Sequence, residues 1–296
     1  MTTRAVTRRD FLRIGTTAGA GLLLVGRIGG QLFEIPIAGA QLPGGTLDPA
    51  SIDKYRTAML IPPAMPRAGK RVRRGAKNVD YYEIGVRQFR QQILPSSLPA
   101  TTVWGYGPIT AKNGPQIFNA PSLTIEAKWR RPVRVKWVNE LVDADGNHLP
   151  HLLPVDPTLH WANPPGGTAG RDKRPTFAST PPPYEGPVPL VTHVHGAVGV
   201  GDESDGYAEG WFLPDARDIP AGYAREGTWY DFFASKFEDR FGEAWGPGYA
   251  ITQYPNPNRA QTKWYHDHTL GMTRLNVYAG PAGFYILRGE IGRAHV

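Results

Sequence analysis

Cysteine is absent from this 296-residue chain, so neither a disulfide frame nor a thiolate metal ligand is available from it. Any transition metal would have to be held by histidine or carboxylate, and the chain has only eight histidines. Long apolar runs are missing too. The mildly apolar stretch from Ile14 to Val25 is too short, and too rich in glycine and alanine, to span a bilayer permanently. A strong charge imbalance is also lacking. The formal net charge is +7, and part of it comes from Arg4, Arg8, Arg9, Arg13 and Arg27 near the N-terminus, opposed there only by Asp10 and Glu34. With a modest excess elsewhere and no dense basic run beside aromatics, there is no case for a nucleic-acid partner.

What is present points to strands. The 35 glycines and 29 prolines are scattered without period, which suits many short strands joined by turns better than long helices. A hydrophobic content of 41% is ordinary for a globular chain of one large or two modest domains. The expected class is all-β.

The N-terminus carries an address. Thr7-Arg8-Arg9-Asp10-Phe11-Leu12 is a twin-arginine pattern, followed by the apolar stretch and by Ala38-Gly39-Ala40, an A-x-A cleavage motif. Residues 1–40 are therefore expected to be an export signal, with the mature chain starting at Gln41 in the periplasm, at the cell surface or in the medium. Twin-arginine export usually carries proteins that fold before translocation, often around a cofactor, which adds weight to a metal site.

Residues 41–80 read as an irregular N-terminal arm with prolines at 43, 49, 62, 63 and 66 and a basic stretch from Lys70 to Lys77. A single domain is expected over 81–290. Tyr82, Ile84 and Val86 alternate with polar or small residues, as does Leu123 to Trp129, and Val133, Val135 and Trp137 continue the pattern. These read as half-buried antiparallel strands. Asp143 to Tyr184 reads as loop; its His148, His151 and His160 share no strand face and are assigned to packing or hydrogen bonding. A second irregular region covers 214–248, interrupted by the aromatic-rich Thr228 to Phe233. Tyr249 to Tyr254 then reads as a strand, Asn256-Pro257-Asn258 as a turn, and Thr262 to His268 as that strand's partner.

Two doublets stand out: His193-Val194-His195 and His266-Asp267-His268, each among strand-forming residues. In a strand, residues i and i+2 share a face at roughly 6.5 Å. If the two strands lie side by side, four imidazoles converge on one patch, which suits a cluster of borderline-soft ions such as copper. Asp267 points to the opposite face and is not expected to be a ligand.

The residues around the doublets carry a resemblance. Thr192-His193-Val194-His195-Gly196, Ser204-Asp205-Gly206-Tyr207 and Trp211-Phe212 precede Trp264-Tyr265-His266-Asp267-His268 and Arg274 to Gly280. With Trp104-Gly105-Tyr106, Leu153 to Asp156 and Leu159-His160 upstream, this resembles the first cupredoxin domain of a multicopper oxidase, in the subgroup of bacterial spore-coat laccases, bilirubin oxidases and phenoxazinone synthases. The resemblance runs with gaps from about Tyr81 to Leu287. It implies a Greek-key cupredoxin-like β-sandwich with long irregular insertions. It also implies that His193 binds the type 2 copper, His195 and His266 one type 3 copper, and His268 the other. Asp205 matches a family acidic residue implicated in proton delivery; an Asp-Gly turn residue is the alternative reading.

The resemblance further implies what this chain does not carry. In the family the remaining cluster histidines and the type 1 copper cysteine come from a C-terminal cupredoxin domain, so that domain and the middle one are expected to be missing. Ile291 to Val296 can be written as ATC GGA AGA GCA CAC GTC, which resembles a sequencing adapter read in frame, and 291–296 is expected to be a non-native tail with His295 an artefact. The favoured function is thus the first part of an exported oxidase that couples oxidation of a small-molecule or metal-ion donor to reduction of O2 to water. The alternative is a stand-alone sandwich that carries copper or zinc without turnover. A zinc hydrolase fits poorly, because no general base stands out beside an open three-ligand site.

Overall fold

The computed structural model describes residues 23–28, 31–36, 47–71, 79–109, 117–176, 178–179 and 181–289. The twin-arginine pair, the Ala38–Ala40 motif, most of the basic stretch and the tail from Ile291 lie outside the described residues. Two compact units divide at Asp53. In the first, β1 (Leu23–Ile28) and β2 (Gln31–Pro36) pair as an antiparallel hairpin.

The second unit is a two-sheet sandwich. In chain order its strands are β3 (Gly69–Arg71), β4 (Val79–Gln91), β5 (Thr101–Pro108), β6 (Ser122–Lys128), β7 (Val133–Asn139), β8 (Thr192–His195), β9 (Tyr249–Tyr254), β10 (Gln261–Asp267) and β11 (Ala282–Arg288). One sheet runs β3-β4-β7-β9 with β5 on β4; the other runs β6-β11-β10-β8. The alternation seen in the sequence is what closes the sandwich. Ile84, Val86, Val135 and Trp137 from one sheet share a buried core with Leu123, Ile125, Val194, Tyr265, Tyr285 and Leu287 from the other. Trp137 and Tyr106 meet Tyr265 at ring-centroid distances of 5.5 and 5.1 Å, so large aromatics span the gap between the sheets. This is an all-β Greek-key cupredoxin-like β-sandwich. Part of the expected arm belongs to it: β3 pairs with β4, and Ala64 bridges Thr124 at the edge of β6.

Three sequence expectations are corrected. First, the pairs β4·β7 and β6·β11 are parallel rather than antiparallel. Alternation reports which face is buried and is blind to strand direction; here the chain crosses from sheet to sheet and returns in the same sense. Second, β9 and β10 are not partners. Buried Asn256, at φ 54°, turns the chain across the sandwich, its amide held by Arg131 O at 3.0 Å and Tyr285 OH at 3.0 Å, so β9 pairs with β7 and β10 with β8 and β11. Third, the irregular region contains a 12-residue helix, Tyr230–Phe241. Tyr230, Phe233 and Phe237 recur at helical spacing and bury one face, and Gly242 at φ 68° ends the helix with its N–H on Glu238 O.

Candidate metal centre

Strands β8 and β10 are antiparallel neighbours whose register sets His266 opposite His193 and Trp264 opposite His195. Both doublets therefore present their imidazoles to the same outer face. His193 lies 5.7 Å from His195, 5.6 Å from His266 and 5.0 Å from His268, ring centre to ring centre. His195 and His266 are 5.7 Å apart, and His266 and His268 5.8 Å. One ring nitrogen from each of His193, His195 and His266 falls within 4.8 Å of the others.

The ring orientations are set by backbone carbonyls, which can only accept. The Nδ1–H of His193 donates to Asp205 O at 2.5 Å, that of His266 to Asp267 O at 2.6 Å, and that of His268 to Gly206 O at 2.9 Å. In each the Nε2 lone pair is left for another partner, the arrangement by which metal-binding histidines are fixed in tautomer and direction. Buried His266 Nε2 has no hydrogen-bond partner. An apolar or hydrogen-bonded core would not leave it so; a metal ion there would take up the lone pair. Burial, and then neighbouring rings, push His266 down to about 4, and burial lowers His193 as well, so both rings stay neutral as ligation requires.

The turn Ser204-Asp205-Gly206 supplies two of those carbonyls. Gly206 adopts φ 74°, and a Cβ there would sit 2.2 Å from Thr192 O and 2.8 Å from His193 Cα, so only glycine lets the turn press onto β8. Gly206→Ala is accordingly expected to cost about 1–3 kcal/mol from backbone strain alone and to weaken metal uptake. Thermal unfolding with a metal titration would check this, and an unchanged protein would show that the turn can move aside. Asp205 is both a turn residue and a neighbour of the cluster: its carboxylate lies 3.5 Å from His193 Nδ1, half exposed, and burial raises its pKa.

Asp267 was expected to turn away from the cluster, and it does. Its carboxylate is fully buried and accepts from Val191 N–H (3.1 Å), Thr269 N–H (3.1 Å), Thr269 Oγ1 (2.9 Å) and Asn276 Nδ2 (2.9 Å). Burial pushes it up to about 6 against the pull of these donors. Asn276, on the short helix Thr273–Ala279, also accepts from His151 Nε2 at 3.0 Å, and His151 packs edge-on against Trp104. Sequence reading did not find this network. The signal was the charge itself: a carboxylate on the core face of a strand must be met by donors.

The loop histidines stand apart. His148 pairs with Asp218 at 2.9 Å, and His160 Nε2 donates to Asp172 O at 2.5 Å. With His151 tied to Asn276, these three sit in hydrogen bonds and packing rather than at the cluster.

No family model matches the chain. Curated relatives do. A laccase of Bacillus subtilis is 32% identical over 237 residues, covering 80% of this chain and 34% of that protein. A laccase of Haloferax volcanii is 31% identical over 289 residues, 97% of this chain and 37% of that one. The chain belongs to the multicopper oxidase family. It spans about a third of the length of these curated relatives. Among solved structures, a laccase of Pediococcus acidilactici aligns over 81% of this chain and 32% of its own, with a TM-score of 0.44 and 15% identity. A donor set of neutral imidazoles without thiolate fits ions of copper's borderline softness.

Proposed function

We propose that this chain is the copper-ligating N-terminal part of an exported multicopper oxidase, the whole protein coupling one-electron oxidation of a small-molecule or metal-ion donor to four-electron reduction of O2 to water. The observation that carries the reading is the convergence of four imidazoles across β8 and β10, three of them oriented by carbonyls, and among those three His266 has an orphaned buried Nε2. In this reading His193 holds the type 2 copper, His195 and His266 one type 3 copper, and His268 the other. Copper held there would supply the one-electron redox chemistry needed to reduce dioxygen. This chain's own residues hold the ligand rings neutral and in place, and Asp205, half open to solvent beside His193, hands protons toward the cluster. Middle and C-terminal cupredoxin domains complete the site and bring the type 1 copper. The twin-arginine pattern supports export.

Copper loading tests the proposal. The purified chain is expected to bind Cu(II) without the intense blue band of a copper–thiolate centre, since it has no cysteine. Alone it should not turn over phenolic dyes, and turnover should appear when the missing domains are supplied in the same chain. Steady O2 consumption by the chain alone would overturn the division of labour. Copper uptake with no turnover even beside those domains would favour the carrier reading.

A further inference from the structure

Three of the four clustered histidines are anchored through Nδ1 to carbonyl oxygens; His195 is exposed and lies against an indole instead. Trp264 precedes His266 by two residues on β10, so both share the outer face, and the β8–β10 register sets it directly across from His195. Its ring stacks on His266 at 4.0 Å and 24°, and on His195 at 5.3 Å and 28°. On the next strand Phe284 is its register partner, itself partly exposed, so the indole stands in a row of rings crossing β8, β10 and β11. Trp264 remains 38% exposed. A large apolar ring at an open sheet face is not there to fill the core.

We propose that Trp264 is a positioning residue for the metal centre: its indole face sets the ring planes of His195 and His266 together and strengthens metal binding by both. The inference rests on the metal-site reading above. Stacking sets the ring plane of His195, as a carbonyl sets the direction of each of the other three. It also responds to the metal. An imidazole bound to a divalent cation is drained of electron density and acquires cationic character, and indole is the aromatic face that attracts such a group most strongly. The contact therefore tightens when metal arrives, and that gain appears as affinity.

The test uses the full chain as wild type, Trp264→Leu and Trp264→Phe. Leucine keeps apolar bulk without a π face; phenylalanine keeps the face. Metal-free thermal unfolding would verify that all three fold. Zn2+ and Cu2+ affinities are then measured by competition titration, and the Cu(II) environment by electron paramagnetic resonance. Trp264→Leu is expected to bind about tenfold more weakly, as for loss of a group that orients a ligand, with a broadened, mixed Cu(II) spectrum. Trp264→Phe should stay within about threefold of wild type with a single spectrum. Equal affinities and spectra for leucine and wild type would overturn the inference alone and leave the metal site standing. So would equal losses for leucine and phenylalanine, which would mean that the aromatic face plays no part. A wild-type chain that takes up neither ion would overturn both this inference and the reading beneath it.

Discussion

Replacing Asp267 by alanine is expected to lower the stability of the sandwich by about 3–5 kcal/mol, because it strands two buried amides, at about 1–3 kcal/mol each before relaxation, and takes one acceptor from two further donors. The Val191 and Thr269 amides lose their side-chain acceptor, while the Thr269 hydroxyl and the Asn276 side chain keep only Pro189 O. For a domain of this size the melting temperature should fall by roughly 6–20 °C. Asparagine, which keeps the shape but turns an NH2 toward some of these donors, should fall between alanine and wild type. The damage is local to the site, since Val191 leads into β8, Thr269 follows His268, and Asn276 ties down the helix beyond. Metal uptake should therefore weaken along with stability even though Asp267 touches no metal. A melting temperature within about 2 °C of wild type would mean that the network tolerates its own centre being removed.

A second large effect is expected at the cluster. The double substitution His195→Ala and His266→Ala should reduce Cu(II) affinity by more than the 10–100-fold typical of losing an outer partner, whereas His148→Ala with His151→Ala should leave it within about threefold while costing stability through the lost Asn276 bond and Trp104 contact. Equal losses from the two doubles would mean that the loop histidines take part in binding. The pH response has a definite sign. Protons displace a metal only below a ligand's own pKa, and burial has lowered His193 from its ordinary value and His266 to about 4. Copper should consequently be retained as pH falls through the ordinary histidine range near 6.5 and released well below it. Complete release centred near that value, measured by copper retention across a pH series, would mean that His193 and His266 do not hold the ion.

How much of this was legible beforehand depends on the residue. The convergence of the doublets was legible because a period of two, repeated in two strand-like segments, puts each pair of imidazoles on one face once the strands pair. Alternation in Tyr82-Ile84-Val86 and Val133-Val135-Trp137 revealed buried faces correctly. It could not reveal strand direction, and so the parallel pairs were missed. The crossing at Asn256 was read as a hairpin turn, since a turn that reverses a strand within its sheet and one that carries it to the opposite sheet use the same residue types. Only the tertiary partners, Arg131 O and Tyr285 OH, distinguish them. The Tyr230–Phe241 helix was hidden by its aromatics, which suit strands locally; the recurrence of Tyr230, Phe233 and Phe237 on one face was the better signal. Trp264 stands in the motif of the second doublet, but its stacking on two histidines at once depends on the β8–β10 register.

That register has a mechanical consequence. His195 and His266 are roughly seventy residues apart in the chain yet adjacent across two strands, so a metal ion shared between them closes a loop of that length as a covalent cross-link would, an effect worth about 4 kcal/mol in the chain-entropy account of disulfides. A chain with no cysteine would thus acquire a long-range staple when loaded. Strand β8, four residues long and at the end of its sheet, is the element such a staple secures. Amide exchange along Thr192 to His195 should then slow on metal addition far more than in the central strands, making the edge of the sheet a gauge of occupancy.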